Sequence, residues 1–215
     1  MWDFILFDLD GTITDPREGI TKSVAHALTY FGITENPEDL TYFIGPPLME
    51  NFRVSYNLTD AQAQEALVRY RERYSTVGWA ENVPYAGVAE FLQSLKDAGK
   101  KLLIATSKAE PYAVKILEHF GLAKYFDCIC GTPMDDPKQT KADVVRAALR
   151  RMNVADLSRA VMVGDRRHDV EGAHEVGLKA VGVLYGYGDR TEHEKAGADY
   201  ICQDMISLQN LLHRI

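Results

Sequence analysis

The chain has 215 residues, 46% of them hydrophobic, enough to bury a substantial core and too many for a disordered segment. Its 24 Lys and Arg against 31 Asp and Glu give a formal charge of −7, and no block of consecutive basic residues is available to neutralise a phosphate backbone, which argues against a nucleic-acid partner. Three cysteines, no basic-then-apolar leader after Met1-Trp2-Asp3 and no uncharged apolar stretch near the roughly 18 residues of a membrane span lead to the expectation of a soluble, cytoplasmic protein without membrane contact.

In chain order, the apolar run Phe4–Leu9 reads as a first buried strand. From Asp15 to about Val83 the pattern changes to helices with no strand among them. Asp15-Pro16-Arg17-Glu18 reads as an N-cap, a proline at the first helical position and a glutamate at the third, opening a helix with Ile20, Val24, Ala27, Leu28 and Phe31 on one face. Gly45-Pro46-Pro47 separates later helices, and Thr59 through Val77 reads as one long helix with Leu67 and Tyr70 inward.

Beyond Val83 strands and helices alternate. Strands are expected at Leu102–Ala105, Cys128–Cys130, Ala160–Val163, Ala180–Leu184 and Tyr200–Cys202, and helices at Val88–Ala98, Tyr112–Phe120, Ala142–Arg151 and Val170–Val176. Strands apolar on both faces, each followed by a helix, imply a parallel sheet covered on both sides. The expected fold is therefore α/β, a doubly wound, Rossmann-like parallel-sheet core formed by residues 1–14 and 84–215, with an all-helical cap subdomain, residues 15–83, inserted after the first strand. Cys128 and Cys130 read as small residues of a buried strand, since no further Cys or His pair stands nearby to complete four zinc ligands. Gly182–Gly188 lacks the spacing of a nucleotide-phosphate loop and reads as a strand end and a turn.

In an open parallel sheet, ligands bind beyond the carboxyl ends of the strands. The residues expected there are Asp8-Leu9-Asp10-Gly11-Thr12, Thr106-Ser107-Lys108 and Gly164-Asp165-Arg166-Arg167-His168-Asp169, with Thr140 and Asp143 capping a helix that starts near Lys141. Four carboxylates in one cleft, Asp8, Asp10, Asp165 and Asp169, would repel one another by several kcal/mol without a cation. A hard, oxygen-seeking dication such as Mg2+ answers that repulsion.

These four stretches, in this order, resemble the haloacid dehalogenase-like (HAD) hydrolase superfamily over nearly the whole chain. The helical insertion directly after the first stretch is similar to the small cap of the phosphoglycolate phosphatase-like branch. The resemblance implies a magnesium-dependent phosphatase acting on a small phosphorylated metabolite. In it Asp8 is the nucleophile that carries the phosphoryl group, and Asp10 protonates the leaving oxygen and then deprotonates water. Asp10 must then hold a proton near neutral pH, which neighbouring carboxylates would favour. Thr106 and the Ser107 amide bind phosphoryl oxygens, and Lys141 neutralises those oxygens and Asp8. Asp8, Asp165, Asp169 and the Asp10 carbonyl hold magnesium. Lys138 lies close enough in sequence to compete with Lys141 for the phosphate role. Arg166, Arg167 and His168 read as structural or solvated.

The presence of Asp10 separates the chain from the dehalogenases, whose halide leaving group needs no acid. A 5′-nucleotidase-like phosphatase and a β-phosphoglucomutase-like phosphomutase stay open, and a non-catalytic binding module comes last because a complete acidic cluster is costly without a metal. Substrate choice belongs to the helical insertion, where Arg17, Lys22, His26, Tyr42 and Arg53 are the polar candidates and Phe43–Leu48 is similar to a cap segment of phosphoglycolate phosphatase-like and 5′-nucleotidase-like proteins.

Overall fold

The structure is a computed structural model that describes residues 1–134 and 139–214. The chain divides into two compact units, one made of Met1–Asp15 with Pro84–Ile215 and one of Pro16–Val83.

The first unit is built on six strands: β1 (Phe4–Phe7), β2 (Lys101–Ala109), β3 (Cys128–Thr132), β4 (Ala160–Gly164), β5 (Lys179–Val183) and β6 (Tyr200–Cys202). They form one sheet in the order β3-β2-β1-β4-β5-β6, every neighbouring pair parallel. This is the expected α/β Rossmann-like sheet. Side chains alternate across it as a two-residue period requires. Leu6, Leu103, Ala105, Met162 and Ala180 meet Val144, Val145, Ala148, Val170 and Ala173 in one buried cluster. On β1 the next residue, Phe7, stacks edge-on against Phe91 and Phe126 instead. Register then fixes the site: Phe7 pairs with Ile104 on one side and Val163 on the other, so the chains leaving β1, β2 and β4 emerge at one rim.

The helical unit contains α1 (Arg17–Thr29), α2 (Leu48–Tyr56) and α3 (Asp60–Arg73). Ile20, Val24, Ala27 and Leu28 of α1 are buried, while Phe31 lies beyond its end, partly covered. The expected cap by Asp15 is corrected: α1 begins after Pro16 with no side-chain cap, because the Asp15 carboxylate is engaged by the Tyr187 hydroxyl. Thr59 and Gln62 form a capping box at the start of α3, with Leu67 and Tyr70 buried as expected. That helix stops short of Val77 and passes into a π-helical turn, Tyr74–Gly78. The widened turn brings Gly78 against Gly19, where a Cβ on Gly19 would stand 2.0 Å from the Gly78 carbonyl oxygen.

The first unit also carries α4 (Val88–Asp97), α5 (Glu110–His119), α6 (Lys141–Arg151), α7 (Arg167–Val176), α8 (Arg190–Ala196) and α9 (Met205–Arg214). The last two were not anticipated from the sequence. Among the described residues no helix is long and apolar enough to cross a membrane.

Candidate active site

The turn after β1 is shaped by hydrogen bonds. Leu9 is fully buried and its carbonyl accepts from the Thr12, Ile13 and Thr14 amides, leaving Asp8 and Asp10 on the other side of the extended backbone. Gly11 sits at φ +85°, and a Cβ there would fall 2.1 Å from Asp165 Oδ2, so only glycine admits Asp165 this close.

Asp165 is fully buried at the end of β4. Its Oδ2 accepts the Tyr187 amide at 2.8 Å, and Thr12 Oγ1 stands 3.4 Å from Oδ1. Asp169, also buried, is the third residue of α7 and caps that helix by accepting the Arg166 amide at 3.1 Å on Oδ2. One oxygen from each of Asp8, Asp165 and Asp169 lies within 4.8 Å of the others, and among the described residues this is the one such cluster. The Asp10 side chain is outside it; the Asp10 contribution expected from the sequence is its carbonyl.

Lys141 opens α6, whose start is fixed by a capping box between Thr140 and Asp143. Its ammonium is buried and reaches Asp8 Oδ1 at 2.6 Å, Asp169 Oδ1 at 2.7 Å and the Ala105 carbonyl at 2.9 Å. Burial pulls the Lys141 pKa down, but the Asp169 and Asp8 carboxylates outweigh it and the net shift is upward. Lys138, the competing lysine, lies outside the described residues.

Thr106 is buried at the rim, and its Oγ1 accepts the Lys108 amide at 3.2 Å. Ser107 is exposed, and its carbonyl accepts from Thr132 Oγ1. The extended backbone runs on to Ala109, where α5 begins, so Ser107 is not the helix cap; it lies within β2, in the stretch between Ala105 and Ala109 where the pairing register with β3 shifts. Two residues past Thr106, Lys108 Nζ pairs with Asp10 Oδ2 at 2.8 Å, both side chains buried. The sequence places Lys108 in the strand-end stretch with Thr106 but gives it no role, since its partner Asp10 lies on another strand's end.

The acids share one perturbation. Burial raises the pKa of Asp10, opposed by Lys108, and Asp8 adds a smaller rise, so burial rather than the neighbouring carboxylates is the main cause. Burial likewise lifts Asp165 well above its ordinary value, with Asp169 and Asp8 adding to it. Asp169 is raised to about 6, by burial and Asp8 against the pull of Lys141. Asp10 Oδ1 accepts no hydrogen bond, nor does Asp169 Oδ1 although Lys141 Nζ stands beside it. Three buried carboxylates with converging oxygens fit a hard dication, which takes all-oxygen ligands and would relieve their repulsion.

The residues between the two β4-end carboxylates serve the scaffold. Arg166 Nε and the Arg167 amide both reach Glu192 of α8, at 3.0 and 2.7 Å, and His168 faces Glu171 at 3.9 Å. Cys128 and Cys130 are free thiols on β3, as the strand reading expects. Within the helical unit Lys22 pairs with Glu18 and Glu81, His26 with Glu72, and Arg53 with Asp60, while Tyr42 bonds Tyr56. Phe43 and Ile44 are buried.

Residues 5–183 match the family model of haloacid dehalogenase-like hydrolases. A 5′-nucleotidase from Pseudomonas aeruginosa is 40% identical over 209 residues, 97% of this chain and 94% of that protein. Tyrosine-protein kinase PtkA from Mycobacterium tuberculosis is 44% identical over 185 residues, 86% of this chain but 62% of PtkA, so the chain spans less than two thirds of that relative. The crystal structure of a predicted phosphatase from Clostridium acetobutylicum superposes with a TM-score of 0.96 at 42% identity, covering 100% of both chains. With this breadth of match, and the acidic rim in place, the chain belongs to the haloacid dehalogenase-like hydrolase family and is one of its phosphatases.

Proposed function

We propose that the chain hydrolyses a small phosphate monoester in the cytoplasm with magnesium, through a phosphoryl group carried on Asp8. The observation that carries this reading is the meeting of Asp8, Asp165 and Asp169 within 4.8 Å, with Lys141 Nζ bonded to Asp8 at 2.6 Å. Magnesium bound by these carboxylates and the Asp10 carbonyl would neutralise phosphoryl oxygens during transfer.

Lys141 orients Asp8 for in-line attack and offsets the charge gathering on the phosphoryl oxygens. Thr106 and the Ser107 amide bind those oxygens beside it. Asp10 is buried and its pKa raised, so it carries a proton to the leaving alkoxide and later takes one from water, with Lys108 fixing its carboxylate. The nucleophile becomes an acyl phosphate and water then restores it, which divides one difficult displacement into two.

For the substrate, the P. aeruginosa relative favours a nucleoside 5′-monophosphate, and the small helical cap favours a two-carbon phosphoacid of the phosphoglycolate type. The test is phosphate release from a panel of both kinds and of sugar phosphates, with and without magnesium, beside Asp8→Asn. Magnesium-dependent release of inorganic phosphate, abolished by Asp8→Asn, is expected. Isomerisation of a sugar phosphate without release would establish a mutase instead, and transfer to protein tyrosine would align the chain with its mycobacterial relative.

A further inference from the structure

The Gly182–Gly188 segment has no role in the chemistry above, yet it is wrapped around one of the carboxylates. After β5 the chain passes through Tyr185-Gly186-Tyr187-Gly188 on its way to α8. A Cβ on Gly186 would stand 2.4 Å from the Asp165 Cβ and 2.3 Å from the Gly11 carbonyl oxygen, and one on Gly188 would stand 2.0 Å from the Asp165 carbonyl oxygen. Glycine at both positions is what lets the backbone close on Asp165.

Tyr187, between them, faces two ways. Its amide donates to Asp165 Oδ2 at 2.8 Å, a well-formed bond, whereas the Thr12 hydroxyl at 3.4 Å from Oδ1 is at the limit of bonding distance. Its phenol hydroxyl bonds the Asp15 carboxylate. Tyr185, two residues earlier, donates to the Thr12 carbonyl at 3.1 Å and packs edge-on against Tyr85, 5.2 Å between ring centres. The two tyrosines thus grip the Thr12–Asp15 segment, and Asp15 is the last residue before the chain leaves the sheet unit at Pro16.

We infer that Tyr187 is a positioning residue that orients Asp165 through its amide and ties that carboxylate, through its phenol, to Asp15 at the exit from the sheet unit. The inference rests on the reading of Asp165 as a magnesium ligand. A ligating carboxylate is only as well aimed as the groups that hold it, so magnesium affinity becomes sensitive to the Tyr187–Asp15 contact although neither side chain is placed among the ligands.

Calorimetric titration of magnesium into the full chain tests this, with wild type, Asp165→Asn, Tyr187→Phe, Asp15→Ala, Asp15→Asn and the Tyr187→Phe/Asp15→Ala double variant. Tyr187→Phe keeps the amide and loses only the hydroxyl. It is expected to weaken magnesium binding roughly tenfold while the unfolding midpoint of the metal-free protein stays close to wild type. Asp15→Ala should match it from the other end, the double variant should be no weaker than either single, and Asp15→Asn, whose amide oxygen still accepts the phenol, should restore most of the affinity. Wild-type affinity in both Tyr187→Phe and Asp15→Ala, or losses that multiply in the double variant, would overturn the inference with the metal site intact. No magnesium uptake by wild type, or undiminished uptake by Asp165→Asn, would remove the metal reading itself.

Discussion

Lys141 is the residue on which the acidic rim turns. Its ammonium lies between Asp8 and Asp169 with only 6% of the side chain exposed, so truncation leaves two buried carboxylates without their counter-charge. Breaking such a pair from one side costs about 3–5 kcal/mol. Lys141→Met should therefore lower the unfolding free energy of the metal-free protein by that amount, read as a fall in the urea midpoint, and abolish phosphate release, and an unchanged midpoint would contradict the buried-pair account. Lys108 should behave differently. It pairs with Asp10, whose side chain lies outside the three clustered carboxylates, so Lys108→Met is expected to reduce turnover roughly 10- to 100-fold through a misplaced acid while magnesium affinity stays near wild type. Steady-state kinetics beside metal titration separates the two lysines. The sequence points to Lys141 through its match to the resembled family's position and through the capping pair, Thr140 and Asp143, that marks a helix start in front of it; Lys108 has only its place beside Thr106 at a strand end, and its partner is 98 residues away.

At the level of elements, the capping box that begins α6 has a functional consequence, because Lys141 is that helix's first residue. Thr140→Ala removes an N-cap, which costs about 1 kcal/mol, and frays the turn that aims the ammonium. A modest fall in urea midpoint accompanied by a larger loss of turnover is the expected pair of results; equal turnover would show that the ammonium is placed by its buried partners alone. The elements the sequence displayed best are the central strands, since β1, β2 and β4 are continuous apolar runs with polar residues stacked at their carboxyl ends. Much of what it hid, α9 with its buried Leu208 and Leu212 apart, follows a common cause. The short helix α8, with the sequence RTEHEKA, carries almost no apolar stripe, so no periodicity announces it. Asp15 looks like a helix cap until Tyr187, 172 residues on, takes its carboxylate. Gly186 and Gly188 read as a plain turn because their reason, the bulk of Asp165, is supplied by another strand. Local pattern reveals what local forces decide, and these positions are decided by tertiary partners.

For the molecule as a whole, ligand and proton linkage make separate predictions. Magnesium that binds the folded chain alone stabilises it by about 2.7 kcal/mol at a hundred times its dissociation constant, so the melting temperature should climb with magnesium in wild type and stay flat in Asp165→Asn. The buried His193 adds a pH effect. It accepts or donates only at Nε2, 3.3 Å from the Val183 carbonyl, its Nδ1 has no hydrogen-bond partner, and burial lowers its pKa below the ordinary 6.5. Above pH 6.5 both folded and unfolded states hold it neutral; below, the unfolded chain gains a proton the folded one resists, and stability falls by up to about 1.4 kcal/mol per unit. Asp165 and Asp169, raised in the fold, act with the opposite sign as pH climbs from 3.8, so the clean measurement is a difference. Wild type should lose ground to His193→Gln between pH 7.5 and 5.5, and parallel profiles would refute the assignment.

The chemistry hangs from β1, β2 and β4, three adjacent strands with neighbours on both sides, while β3 and β6 form the margins of the sheet. Interior strands exchange their amide protons last, because freeing them requires nearly the whole global opening energy. Heating or denaturant should accordingly loosen the margins first and leave the reacting groups in register. Enzymatic competence should then vanish in one step with the protection of the Phe4–Phe7 amides, rather than eroding ahead of it.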